Sequence, residues 1–307
     1  MNVRIEKMSV VNDKMKDKIK TNSYKTQNNI TVKAMTEDNS EHNNFRIPIP
    51  SRFEEVFTHF YFAENKSGKL ISKTLLPSYQ TILIFNFGAK PYLITKQNTK
   101  IEVDKYLIIG PIKQAFDYVL PHRTEMLTVN FKDDAFSRFF GNAAISEHLP
   151  ISPDDLVNDD CFGILWYKLS KIQNIEERVN CVLEFSEPYL VTRNNIAEQL
   201  SNFRDQSLNS IKYVASQNNQ AERNMQLQHK KHFGYSSKEY NRYERFLKAI
   251  ELIQNLASLS SKIDWFEIVT QCGYYDQSQL IKDFKHYINL TPSQYLKFQQ
   301  DICNPIS

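Results

Sequence analysis

The chain has 307 residues, 41% hydrophobic and 24% charged, which is enough for two compact domains with separate cores. Its strongly apolar runs, such as 81–87, fall far short of the ~20 residues that cross a bilayer, so no membrane-spanning helix is expected. The four cysteines (Cys161, Cys181, Cys272, Cys303) form no CxxC pair, so neither structural zinc nor a disulfide framework is expected, and a reducing cytoplasm fits.

The formal net charge of +3 divides unevenly. Residues 45–200 carry 17 Lys and Arg against 19 Asp and Glu, whereas residues 201–300 carry 13 against 9, with three histidines besides. The C-terminal third therefore leans toward a polyanionic partner.

In chain order, residues 1–44 are rich in Lys, Asn and Asp, and Tyr24 is their only aromatic. Such a segment buries too little apolar surface to order itself, so a disordered polar arm is expected. No apolar block follows its N-terminal charges, so it does not read as a signal peptide.

From Phe45 to residue 145, runs rich in β-branched and aromatic residues recur at 56–62, 70–76, 81–87, 91–95, 106–110, 115–120 and 126–131. This spacing predicts a small antiparallel sandwich or barrel, with turns at Gly88, Pro91, Gly110-Pro111 and Pro121. After Phe131 the period becomes helical. Ala135, Phe136, Phe139 and Phe140 share one face, and helices are expected over 161–172 and 175–191. The stretch 146–204 is expected to be a helical connector.

Residues 205–300 contain an internal repeat with an offset of 55. Val214 answers Val269, Met225 answers Leu280, Lys230 answers Lys285, His232 answers Tyr287 and Tyr240 answers Tyr295. Ser236 with Glu239, and Thr291 with Gln294, read as capping boxes, and Pro292 sits at a first helical position. Each copy thus predicts a helix, a tight turn, a second helix, a Gly or Asn exit and a capped third helix. Gly273 is expected to supply the left-handed residue of the second turn, and Asn218 that of the first. A stiff helix over about 238–256 joins the copies.

In the second copy Asp276 is expected to cap the helix that follows, supported by Gln279. Leu280 and Phe284 face inward, which leaves Gln277, Ser278, Ile281, Lys282 and Lys285 outward. Gln pairs bidentately with adenine, and Lys donates to guanine or phosphate, so this face suits the major groove of double-stranded DNA. The expected contacts are Arg223, Gln226 and Lys230 in the first unit, and Gln277, Ser278, Gln279, Ile281, Lys282 and Lys285 in the second. Two such helices on one stiff linker can reach successive turns of one DNA face.

The run Ile268-Val269-Thr270-Gln271-Cys272-Gly273-Tyr274-Tyr275-Asp276-Gln277-Ser278-Gln279-Leu280 resembles the signature of the AraC/XylS family of bacterial regulators. So does its continuation through Lys282-Asp283-Phe284-Lys285 and Leu290-Thr291-Pro292-Ser293-Gln294-Tyr295, and Arg245-Phe246-Leu247-Lys248-Ala249 resembles the family's linker. The first unit departs from the pattern: Ala221 replaces a capping Ser, Leu227 a reading Arg and His229 a core Phe. In the second, Lys282 stands for Arg and Asn289 for Gly. Base reading is therefore expected mostly from the second unit.

Residues 45–145 resemble the cupin-like sensor domains of some family members, through 77–88 and Ile109-Gly110-Pro111. The fold class implied is α+β: a small cupin-like β-sandwich or barrel, then helices, then an all-α tandem helix-turn-helix domain over 205–300 with a short tail at 301–307. The resemblance implies a transcriptional regulator in the cytoplasm, at the nucleoid. Its partners would be double-stranded DNA, RNA polymerase, a small-molecule effector and a second copy of the chain.

No cofactor and no catalysis are expected. A metal-binding cupin needs a His-x-His pair, yet 45–150 holds only His59, His122 and His148. Seven glycines make no phosphate loop, and no nucleophile motif occurs. Two alternatives stand beside the regulator: a degenerate helix-turn-helix protein that acts through protein contacts, and a cupin-like enzyme with a helical appendage. Aromatics such as Tyr79, Phe85, Phe87, Tyr92 and Phe116 line an effector pocket or simply fill the core.

Overall fold

The computed structural model describes residues 41–95, 98–145, 150–189, 192–203, 209–258, 264–297 and 302–303. Its strands are β1 (His42–Ile47), β2 (Phe57–Asn65), β3 (Ile71–Leu75), β4 (Ile82–Asn86), β5 (Tyr92–Ile94), β6 (Lys100–Glu102), β7 (Tyr106–Ile109), β8 (Phe116–Leu120), β9 (Thr124–Phe131) and β10 (Ile302–Cys303). They build two five-stranded sheets, ordered β1-β2-β9-β4-β7 and β10-β3-β8-β5-β6. All pairings are antiparallel except that of β10 with β3. The predicted α+β class is the observed one, and all seven expected runs are strands.

β4 explains why 81–87 reads as continuously apolar. Ile82 and Ile84 pack between the sheets with Leu93, Tyr118 and Leu120, while Leu83 and Phe85 pack outward against helices. A strand covered on both faces loses the alternation that a half-solvated strand keeps. The outward cover comes from α1 (Ala135–Phe140), α3 (Cys161–Lys171) and α4 (Ile175–Ser186), whose Phe136, Phe162, Leu165, Val182 and Phe185 join the core of the first sheet. Full burial of each such side chain is worth about 1.5–3 kcal/mol.

Polar ties fix the cover. Trp166 Nε1 donates to Asn86 O at 2.8 Å. Tyr106 OH donates to Asp154 of α2 (Pro153–Val157) at 2.6 Å. Arg178, 2% exposed, pairs with Glu125 and lies 4.1 Å over the Phe87 ring. Helices expected merely to bridge two domains are thus part of the β domain's own core.

Three boundaries differ from expectation. The polar arm lies outside the described residues up to 40, but His42–Asn44 pair with Ala63–Asn65 as part of β1. Helix α5 (Asn195–Ser201), expected in the connector, packs with the C-terminal helices through Leu200. In the tail, Ile302 and Cys303 pair with Thr74 and Leu75, so the chain's end returns to the β domain.

The remaining helices are α6 (Ser210–Gln217), α7 (Glu222–Phe233), α8 (Ser237–Ser258), α9 (Trp265–Gln271), α10 (Gln277–Ile288) and α11 (Pro292–Lys297). They share a core that also takes in Leu76 and Tyr79 from the β domain. Tyr79, buried at φ 56°, stacks on Tyr243 of α8 at 4.4 Å and meets the edge of Tyr235 at 5.0 Å. A left-handed aromatic residue is strained and persists only where packing enforces it.

Backbone ties reinforce the docking. Ala143 N–H donates to Lys231 O at 2.9 Å and Ala115 N–H to Tyr287 O at 2.7 Å. Those carbonyls lie in the last turns of α7 and α10, where the helix itself supplies no donor. Gly234, at φ 80°, leaves room for the approach, since a Cβ there would stand 2.5 Å from Ala143 O. Among the described residues, no helix is long and apolar enough to cross a membrane.

Candidate nucleic-acid interface

The second unit is α9, its turn and α10. Asp264 caps α9 by accepting from Phe266 N–H at 2.9 Å. Gly273 takes the left-handed conformation at φ 73°. Asp276 accepts from Gln279 N–H at 2.7 Å, and Gln279 Oε1 accepts from Tyr275 N–H at 2.9 Å, which closes a reciprocal cap on α10. Asn289, left-handed at φ 59°, ends the helix, and Thr291 with Gln294 caps α11.

Leu280 and Phe284 are buried, and Gln277, Ser278, Ile281, Lys282 and Lys285 are exposed. Gln279 is half-buried and commits its carbonyl oxygen to the cap, which leaves only its amide NH₂ for a base. Tyr275, passed over in the sequence reading, is 92% exposed just before the cap. Asp283, also passed over, is buried and accepts from Arg242 and Arg245 of α8.

The first unit is α6, its turn and α7. From Glu222 onward it matches α10 at an offset of 55: Met225 and His229 are buried where Leu280 and Phe284 are, and Gly234 is left-handed where Asn289 is. Burial holds the His229 imidazole below its ordinary pKa, and its Nδ1 lies 2.8 Å from Tyr235 O, so it packs as a neutral core ring. Arg223, Gln226 and Lys230 are exposed, and so is Leu227, at 62%.

Before the turn the offset becomes 54. Asn218 N–H donates to Val214 O as Cys272 N–H does to Ile268 O, and Gln220 N–H to Ala215 O as Tyr274 N–H does to Val269 O. The first turn is therefore one residue shorter. The left-handed residue is Asn219, at φ 51°, and not Asn218, which ends α6 at φ −103°. Ala221 stands at the start of α7 with no side-chain cap.

The linker α8 runs for 22 residues. Its start is the capping box of Ser236 and Glu239, whose hydrogen bonds are 2.8 and 3.2 Å. Burial opposes ionisation of Glu239, but hydrogen bonds from Ser236 and the ammonium of Lys113 hold its pKa near 2. Phe246 and Ala249 are buried on the opposite face.

The aromatic residues considered as pocket lining separate into four places, and Tyr92 of β5 is half-buried under the Lys100 ammonium at 4.3 Å. Phe85 and Phe87 pack under the helices, Phe116 packs between the sheets and Tyr79 packs against α8. Among the described residues, no group of three His, Cys, Asp or Glu side chains could hold a metal ion.

Residues 256–297 match the family described as bacterial regulatory helix-turn-helix proteins, AraC family. Residues 47–148 match a domain of unknown function, DUF6597. Comparison with curated protein sequences returns no match. Among solved structures, ToxT from Vibrio cholerae is 14% identical, with 78% of this chain and 98% of that chain covered at a TM-score of 0.36. ToxT from Vibrio cholerae O395 bound to (E)-4-(8-methylnaphthalen-1-yl)but-3-enoic acid is also 14% identical over the same shares, at 0.38. A putative ethanolamine utilization protein from Salmonella typhimurium LT2 is 8% identical, covering 29% of this chain and 68% of that one at 0.23.

Scores this low carry no functional assignment. The family match is different, because it falls on the unit whose turn, cap and inward pair follow the pattern. The first unit, with its shorter turn, Ala221 and His229, lies outside it. Over residues 256–297 the chain is thus similar to the helix-turn-helix of the bacterial regulatory proteins of the AraC family.

Proposed function

We propose that this protein regulates transcription by binding double-stranded DNA, with α10 as the principal base reader and α7 as a weaker one. The observation that carries this reading is α10 itself: a doubly capped helix, anchored by buried Leu280 and Phe284, that exposes Gln277, Ser278 and Lys282 together. Amide, hydroxyl and ammonium groups on a rigid helix are what direct readout of base edges requires. Ile281 and Lys285 extend that face, with Gln279 supplying its NH₂, and Arg223, Gln226 and Lys230 serve the first unit.

The β domain of residues 45–145 is proposed to sense a small molecule or to pair two copies of the chain. Its dock on the last turns of α7 and α10 supports a coupling to the module of residues 205–300. RNA polymerase and the cytoplasm follow as partner and place of work. Selection of duplexes from a random pool by the full chain tests the reading. An enriched motif is expected; a pool that stays random contradicts it.

Leu227 favours a second reading. An apolar side chain 62% exposed on a helix expected to read bases suits a protein contact. Under that reading the full chain retains no motif, and Leu227→Asp abolishes its complex with RNA polymerase.

A further inference from the structure

Between the two reading helices lies a groove of about 870 Å³, flanked by Gln226 of α7 and by Gln279 and Lys282 of α10. Its floor is the polar face of α8: Lys238, Asn241, Arg242 and Arg245. These positions follow i, i+3, i+4, i+7, so they form one stripe along the helix. On the other side of α8, Tyr243, Phe246, Ala249, Ile250 and Ile253 are buried.

Two features of the stripe favour an anion there. Lys238 stands in the first turn of α8, where the helix dipole disfavours a cation and favours an anion. Arg242 and Arg245 share a single carboxylate, that of Asp283, so two guanidiniums face one negative charge. Glu222 adds one acid at the rim, and Lys282 offsets it.

Geometry names the occupant. A protein that reads two successive major grooves from one face meets, between them, the phosphate ridges that border the intervening minor groove. Whatever links the two readers faces those ridges.

We propose that α8 is a third DNA-contacting element, and that Lys238, Asn241 and the outer edge of Arg242 bind backbone phosphates between the two read grooves. This rests on the DNA-binding reading above and extends it to a continuous duplex spanning both units. Contacts of this kind fix register without carrying sequence information.

The test uses the full chain and the duplex that it selects. Lys238→Ala is expected to weaken binding about 5–10-fold near 0.1 M salt, equally for specific and nonspecific duplex. The slope of log K against log salt should become shallower by about 1, and the selected motif should stay the same. Lys238→Arg should restore the slope. Methylphosphonates placed at the central phosphates should weaken the wild-type chain, and weaken Lys238→Ala by a smaller factor, since Arg242 and Asn241 still meet those phosphates. Unchanged affinity and slope in Lys238→Ala, with a wild type that binds its motif, overturns the role of α8 alone. A wild type that binds no duplex overturns the DNA-binding reading with it.

Discussion

Asp283 of α10 is 2% exposed and holds two arginines of α8: Arg242 Nε donates to its Oδ1 at 2.7 Å, and Arg245 Nη2 to its Oδ2 at 3.1 Å. A carboxylate on the buried face of α10 thereby fixes that helix against α8. Arg245 also lies 4.6 Å over the Tyr274 ring, so the same guanidinium steadies the turn before α10.

Asp283→Asn removes the charge while keeping the shape. Breaking a fully buried pair costs about 3–5 kcal/mol, and the partial exposure of both arginines puts this variant at or below the lower end. A lowered thermal midpoint is expected, together with weaker binding to the selected duplex. An unchanged midpoint would show that the clamp contributes nothing.

Tyr79 ties the β domain to the module. Tyr79→Ala deletes a ring stacked on Tyr243 and empties space shared by both domains. A cost of about 3–5 kcal/mol is expected from the cavity and the lost contacts. Calorimetry should show the single transition splitting in two as the domains uncouple. A single transition at the wild-type midpoint would contradict the dock.

Much of this architecture is legible in the sequence, and the limits have physical causes. The apolar runs announce seven strands, whereas β1 opens on three polar residues and β6 is three residues long with a charge at each end, so both declare themselves only by pairing. The caps of α8, α10 and α11 are local hydrogen bonds between residues three apart, so they can be read directly. The docking of Tyr79 on Tyr243, and of Ala115 on Tyr287, joins residues more than 160 apart and leaves no local trace. Asp283 did leave one: it falls with Leu280, Phe284 and Tyr287 on the apolar stripe, where an acid requires a basic partner. The shorter first turn is hidden because Asn218 and Asn219 are chemically alike.

Acid should weaken the fold through His59. Burial, and then the charge of Arg46, hold its imidazole down at about 4. The unfolded chain binds this proton more tightly, so folded stability is full above the ordinary histidine pKa of about 6.5 and falls as pH drops toward 4. Urea titrations across that window should show the decline, with His59→Gln flattening it. A wild-type profile flat from pH 7 to 4 would show that the ring titrates freely.

Unequal reading by the two units is tested by selection from a random DNA pool. Wild type, Lys282→Ala, Gln277→Ala and Leu227→Ala are compared, each with its fold verified. Lys282→Ala or Gln277→Ala is predicted to relax one or two positions of the motif, at about 1–3 kcal/mol per lost base contact. Leu227→Ala, which has no hydrogen bond to lose and at most a thymine methyl to touch, is predicted to leave the motif nearly intact. A motif scrambled by Leu227→Ala and preserved in Lys282→Ala would contradict the account.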